Sequence, residues 1–207
     1  VRNGHAIAEL DSHNQLLNGQ IGVDALLNTN KLNGTFTADV KEADLYALGL
    51  MDNPLSVGLC GHADITSDLK LSHYVSGLVS DIVIRDSAQS YRSEFIGLHI
   101  NTKPDTTIFR AQSGDFIVKL DGSGNYEDLL TKLTTLGDSV MAQLDAKIID
   151  QAAIRRLLPA MKLHVEGKQG NPIADLLRSG QGITFKDMLF DMTTSAETGI
   201  NGTGYVH

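Results

Sequence analysis

Apolar and polar residues alternate along most of this chain. In the run 17–27 the apolar side chains fall on odd positions, among them Leu17, Ile21 and Val23. The same two-residue period returns over 36–40, 57–66, 96–101, 116–120 and 188–193. A period of two is typical of strands that bury one face, so each run predicts a β-strand.

Turn-forming residues separate these runs. Ser113-Gly114-Asp115 predicts a hairpin and Lys103-Pro104-Asp105 predicts another turn. Asn18-Gly19 and Asn33-Gly34 fit either hairpin turns or the openings of strands. Short strands joined by tight turns predict an antiparallel meander. The chain shows no alternation of strands with crossover helices, which argues against a parallel nucleotide-binding sheet.

A long amphipathic helix is predicted in the second half. Asn125 can cap a helix over 126–149, in which apolar residues recur at helical spacing. That stripe consists of Leu129, Leu130, Leu133, Leu136, Val140, Met141, Leu144 and Ile148. We expect the stripe to pack on the apolar face of the sheet, because an amphipathic helix needs a partner.

Shorter helices are predicted over 151–158, before Pro159, and over 172–178. One or two further helical turns are predicted over 42–50. The sequence therefore predicts a single mainly-β segment over 1–207, with a helical insertion at about 125–180.

A short phrase also recurs. The sequence of 32–40, LNGTFTADV, is similar to that of 17–25, LNGQIGVDA, and the stretch 200–206 opens in the same way. This pattern indicates a repeated strand unit that starts with Asn-Gly. Chance similarity between Asn-Gly strands is the alternative.

The charge balance removes several classes of protein. The chain carries 17 basic and 25 acidic side chains, a formal net charge of −8. Nucleic-acid binding and electrostatic docking on anionic lipid both need clustered Lys and Arg, so neither is expected. The single cysteine, Cys60, excludes an internal disulfide and a multi-cysteine zinc site.

Candidate chemistry is sparse. Cys60, His62 and Asp64 share one face of a predicted strand, where they could orient a nucleophile or hold a metal. Their strict alternation with apolar neighbours favours a solvent-facing polar row without function. The loop 121–125 begins like a calcium loop, but Tyr126 stands where glycine is needed and Lys132 where glutamate is needed. We therefore expect no enzyme, cofactor or metal site.

The Asn-Gly strands, the segment 40–50 (VKEADLYALGL) and the amphipathic strands after it resemble the TamB, or translocation and assembly module, branch of the AsmA-like family. The resemblance covers most of 15–120 and returns at about 182–207. It implies a long curved antiparallel sheet, shaped as a taco-like groove or half-barrel. It also implies a role in lipid transport or outer-membrane assembly in the periplasm. The chain opens at Val1 without Met, so we expect a piece of a longer protein or a processed product. The resemblance implies an inner-membrane anchor outside this sequence.

Under this resemblance the inward rows line an apolar groove for phospholipid acyl chains. The groove candidates are Ile21, Val23, Phe36, Val57, Leu59, Leu98, Ile100, Phe116 and Val118. The expected partners are acyl chains, adjoining repeats of the same chain and an outer-membrane assembly protein. Two alternatives stay open: a structural or partner-binding β module closed over its own helices, and a periplasmic lipid or lipoprotein carrier half-barrel.

Overall fold

The computed structural model describes residues 4–87, 90–171, 174–175, 177–178 and 182–207, with the backbone alone at 93 and 94. Within these ranges, 11 strands form one antiparallel sheet in which the strands follow each other in chain order. They are β1 (His5–His13), β2 (Leu17–Asn28), β3 (Lys31–Asp44), β4 (Leu55–Ser67), β5 (His73–Asp86), β6 (Ser90–Lys103), β7 (Thr106–Ser113), β8 (Phe116–Ser123), β9 (Met161–Lys168), β10 (Asp187–Ser195) and β11 (Gly199–Val206). The sheet is open, with β1 and β11 at its edges. The prediction of a mainly-β antiparallel fold with helices late in the chain is confirmed.

The Asn-Gly pairs lie near the openings of strands rather than in hairpin turns. Asn33 of β3 and Asn201 of β11 belong to the same cross-strand row, followed through the register of every intervening pair. The predicted hairpin at 113–115 joins β7 to β8, where Gly114 takes a positive φ of 57°. Sequence reasoning missed β1 and β9. Ile7 interrupts the alternation of β1. β9 alternates strictly from Met161 to Lys168, but it was overlooked because it lies inside the expected helical insertion.

Two helices connect β8 to β9. Helix α1 spans Tyr126–Asp145, and the Asn125 side chain caps it by accepting a hydrogen bond from the backbone N–H of Asp128 at 3.0 Å. Helix α2 spans Gln151–Leu157. The prediction that the first helix reaches 149 is wrong, since the chain leaves the helix after Asp145 and Lys147 takes a positive φ of 55°. Strand β9 lies inside the range predicted as a helical insertion and returns the chain to the sheet.

The two other helical predictions have different outcomes. The prediction over 172–178 falls partly outside the described residues; 174, 175, 177 and 178 are helical. The prediction over 42–50 is wrong at its start, because Glu42 to Asp44 belong to β3. Turns follow over 45–49. A bulge in β3 between Val40 and Ala43 keeps the strand paired with β4 up to Asp44.

The described core consists of two separate apolar clusters. One joins Leu55, Ile82 and Ile84, with Leu45 and Met51 packed against it from the connection between β3 and β4. The other joins Phe116 to Ala174 and Phe185, from the connection between β9 and β10. Each cluster lies where a connection folds back over one side of the sheet. The chain therefore covers part of that side itself.

Candidate functional site

Strand pairing brings the apolar rows of all the strands onto one side of the sheet, here called the apolar face. One cross-strand row runs without interruption from β1 to β11. Its members are Ala8, Val23, Phe36, Ala63, Gly77, Leu98, Ala111, Val118, Val165, Phe190 and Gly204. The row has no polar member, because each strand keeps its two-residue period in register with its neighbours.

A second apolar row lies beside the first, two residues further along each strand. Its members are Ala6, Ala25, Gly34, Ile65, Val75, Ile100, Phe109, Leu120, Leu163, Met192 and Gly202. Neighbouring strands lie about 4.8 Å apart, so two such rows across 11 strands make an apolar band roughly 48 Å long.

The nine predicted groove residues all lie on the apolar face. Four of them belong to the chain's own clusters: Val57 and Leu59 pack against the Leu55 cluster, and Phe116 and Val118 belong to the other cluster. The remaining five, Ile21, Val23, Phe36, Leu98 and Ile100, are half-buried or exposed, and Val23 is 41% exposed. The open part of the band thus lies between the two covered regions and along β2 and β3.

A hydrogen-bonded polar ladder closes one end of the apolar face. Thr102 and Thr107 are buried, and their hydroxyl oxygens lie 3.0 Å apart. The backbone N–H of Tyr126 donates to Thr102 Oγ1 at 3.0 Å, which fixes the start of α1 at this end. Ser67 Oγ lies 2.7 Å from His73 Nδ1 on the neighbouring hairpin. Sequence reasoning missed this ladder, because its only trace in the sequence is polar residues near strand ends, where solvent-exposed residues are polar as well.

Helix α1 does not lay its apolar stripe on the sheet. Only Leu129 is buried, and it packs so close to Gly122 that a Cβ there would lie 2.8 Å from Leu129 Cδ2. The outer members of the stripe are exposed: Leu130, Met141, Leu144 and Ile148. The prediction that the whole stripe packs on the apolar face is wrong, because the helix touches the sheet mainly through its first turn.

The opposite side of the sheet, here called the polar face, carries Cys60, His62 and Asp64, as their alternation predicted. His62 Nε2 lies 3.5 Å from Asp64 Oδ1, and Cys60 Sγ lies 3.8 Å from Asp39 Oδ1. Partial burial, followed by the nearby Asp39 carboxylate, raises the pKa of the Cys60 thiol. A raised pKa keeps the thiol protonated and weakens it as a nucleophile or metal ligand.

Other titratable groups on the polar face form pairs. His164 Nδ1 donates a hydrogen bond to Asp191 Oδ1 at 2.7 Å, and Arg110 pairs with Asp121 at 2.5 Å. In the described ranges no group of three or more His, Cys, Asp or Glu side chains is placed to hold a metal ion. The expectation of no cofactor and no catalysis stays a prediction.

The helices in the described part of the chain are short or polar. None of its helices combines the length and the apolar character needed to cross a bilayer. No protein-family model, curated protein or solved structure matches the chain.

Proposed function

We propose that this chain is a non-enzymatic segment of a TamB-like envelope protein, and that its apolar face holds lipid acyl chains. The observation that carries the proposal is the uninterrupted apolar band, whose members Val23, Phe36, Leu98 and Ile100 stay half-buried or exposed, as does Ile21 beside it. Apolar rows that a protein needs only for its own core are normally covered.

The energetics of the band suit flexible tails. Each methylene removed from water gains about 0.8 kcal/mol, so ten buried methylenes of one tail offset roughly 8 kcal/mol of the cost of leaving a bilayer. Aromatic residues make up only 5% of the chain. The band contains three aromatic residues, Phe36, Phe109 and Phe190, and its other large side chains are aliphatic. A mainly aliphatic floor adapts to a mobile hydrocarbon more readily than to a flat, rigid ligand.

The cellular setting belongs to the same proposal and rests on the family resemblance. In it the segment works in the periplasm, within a protein anchored to the inner membrane. Adjoining repeats extend the sheet, and an outer-membrane assembly protein receives the lipid or the assembling client.

The test is site-specific photo-crosslinking to lipid. A photoreactive phenylalanine analogue replaces Phe36 or Leu98 on the apolar face, and in matched controls Thr37 or His99, which lie next to them in sequence on the polar face. The proteins are mixed with vesicles of phosphatidylethanolamine and phosphatidylglycerol, illuminated and analysed by mass spectrometry. We expect phospholipid adducts from Phe36 and Leu98 only. Equal labelling from both faces, or none from a folded protein, would overturn the proposal.

One observation favours a second candidate, a structural or partner-binding module. The clusters around Leu55 and Phe116 already cover part of the apolar face with the chain's own residues. If the rest is covered in solution, Phe36 and Leu98 will give no adduct and will be protected from water. The third interpretation, a carrier half-barrel, can be distinguished from the proposed segment of a longer envelope protein by a transfer assay. A carrier moves labelled phospholipid between separate vesicles without any further protein.

A further inference from the structure

Charge is segregated across the polar face. The strands β1–β4 carry mostly acidic side chains on the polar face: Glu9, Asp11, Asp24, Asp39, Glu42 and Asp64. The basic residues of these strands are Lys31, at the start of β3, and Lys41, in its bulge. The strands β6–β9 place Arg92, Lys103, Arg110, Lys119, Lys162 and Lys168 on the polar face, against Asp121 and Glu166. One half of the face is therefore acidic and the other half is basic.

One cross-strand row shows the segregation residue by residue. From β2 to β9 it reads Asp24, Thr35, Asp64, Ser76, His99, Arg110, Lys119 and His164. Like charges directly opposite each other destabilise a sheet, so the basic end of this row needs compensation. Asp121 compensates Arg110, and Asp191 compensates His164. Lys119 lies between these pairs, and the described residues offer it no carboxylate within ion-pair distance.

The boundary between the two halves is uncharged and partly apolar over 73–80. Further along β5, Asp81 accepts a hydrogen bond from the Ser80 hydroxyl, and Arg85 lies 3.9 Å from Glu42, so the strand carries one charge of each sign on this face there. Over 73–80, β5 presents Tyr74, Ser76, Leu78 and Ser80 to the polar face, and Phe95 of β6 lies opposite Ser80. Tyr74, Leu78 and Phe95 are 41%, 49% and 43% exposed. Exposed large apolar groups at the centre of a polar surface are typical of an interface.

We propose that the polar face docks on the same face of a second copy of this chain, about a two-fold axis parallel to β5. Rotation about that axis lays β2 of one copy over β8 of its partner, and β4 over β6. Asp24 then faces Lys119, Asp64 faces His99, and the apolar centres meet. The other in-plane axis, perpendicular to the strands, would lay acid on acid and base on base. The charge pattern selects the first arrangement, which is isologous and closed.

The face is large enough for this interface. Strands are spaced about 4.8 Å apart and rise about 3.3 Å per residue, so about seven strands by about eight residues cover roughly 900 Å². Ordinary specific interfaces bury about 800 Å² per partner. The pairing leaves both apolar faces on the outside, so it is compatible with lipid binding and does not depend on it.

The test is charge exchange followed by sedimentation analysis, without lipid. We expect a monomer–dimer equilibrium that shifts toward monomer as salt is raised from about 50 to 500 mM, because screening weakens exposed charge pairs. Asp24→Lys and Lys119→Asp should each raise the dimer dissociation constant about tenfold or more. The double variant should regain most of the lost affinity, because it restores both contacts related by the axis. Asp52→Lys, in the connection between β3 and β4, is the control for net charge.

Thermal unfolding of each variant separates loss of pairing from loss of folding. His5 Nε2 lies 2.5 Å from Asp24 Oδ1, so Asp24→Asn serves as a second variant that removes the charge with less disturbance. A chain that stays monomeric to millimolar concentration would overturn the proposal, and a different protein would then be the expected partner of the polar face. So would a folded double variant that dimerises no better than the singles.

Discussion

At the scale of single residues, the bulge in β3 leaves no room for a side chain at Gly58, which lies opposite it on β4. Gly58 is buried, and a Cβ there would lie 2.6 Å from the carbonyl oxygen of Lys41. The contact is with backbone, so relief requires the strand itself to move. Gly97 is also a strand glycine, but its Cβ would lie 3.9 Å from the nearest heavy atom, the carbonyl oxygen of Gln112.

We therefore expect Gly58→Ala to lower the free energy of unfolding by about 1–3 kcal/mol, the usual cost of overpacking. Gly97→Ala should be close to neutral. Urea denaturation followed by circular dichroism measures both values. Equal stabilities of the two variants would show that the bulge relaxes without strain.

The environment of His164 on β9 shifts the titration of its side chain. The hydrogen bond to Asp191 raises the pKa of His164 above its ordinary value of 6.5, against the opposing effect of partial burial. Glu166 adds to the rise from 3.5 Å. A folded-state pKa above the unfolded one contributes stability that is fully present below pH 6.5 and is lost as pH rises through the folded value.

Asp191→Asn should accordingly destabilise the protein at pH 5.5 and have much less effect at pH 8.5. The expected loss at the lower pH is at most about 1 kcal/mol, because the pair is partly exposed. Melting temperatures of the variant, the parent and Asp52→Asn at both pH values provide the measurement. A loss that grows with pH would contradict the assignment.

At the scale of elements, α1 is anchored at its first turn rather than along its length. Leu129 is 5% exposed, whereas Leu144 on the same apolar stripe is 52% exposed. The Asn125 cap and the contact with Thr102 hold the same end of the helix. The far end of the helix is therefore free of the sheet.

Leu129→Ala should cost about 2–5 kcal/mol, as for other buried leucines. Leu144→Ala should change the stability by less than about 0.5 kcal/mol, as for surface substitutions. Both changes keep a good helix former, so helix propensity does not confound the comparison. Chemical denaturation measures the difference, and a large loss at Leu144 would reveal a partner for the outer stripe in solution.

At the scale of the whole molecule, every strand pairs only with its chain neighbours, so stability is distributed along the sheet. β5 lies between two long partners and contains the buried Ile82 and Ile84. β1 and β11 have one partner each, and nearly all residues of β11 are exposed. Local opening should begin where partners and buried area are fewest.

Amide hydrogen exchange should therefore be fastest in β1 and β11 and slowest in β4 to β6. Mass spectrometry of peptic peptides from the native protein reads this gradient directly. Protection of β11 equal to that of β5 would show that its edge is covered in solution.

The sequence was informative about the site wherever a strand keeps its period. Ile21, Val23, Phe36, Leu98 and Ile100 were assigned to one face by alternation alone, and the pairing placed them there. The two-residue alternation does not show which apolar residues other parts of the chain cover. Val57 and Phe116 alternate in the same way as Val23, but they are packed under connections distant in sequence. The buried ladder of Thr102 and Thr107 was missed because a threonine at a strand end looks the same in sequence whether water or a helix lies over it.

The sequence by itself determined most of the strands with regular alternation, the turns between them and the cap of α1, since these depend on contacts within a few residues. Tertiary structure decided the rest. Register aligned the apolar residues of 11 strands into continuous rows and separated acidic from basic strands on the other face. It also decided that only Leu129 of the α1 stripe reaches the sheet. Strand register, and which apolar residues other segments cover, both depend on contacts between residues far apart in the chain. No local sequence pattern encodes such contacts.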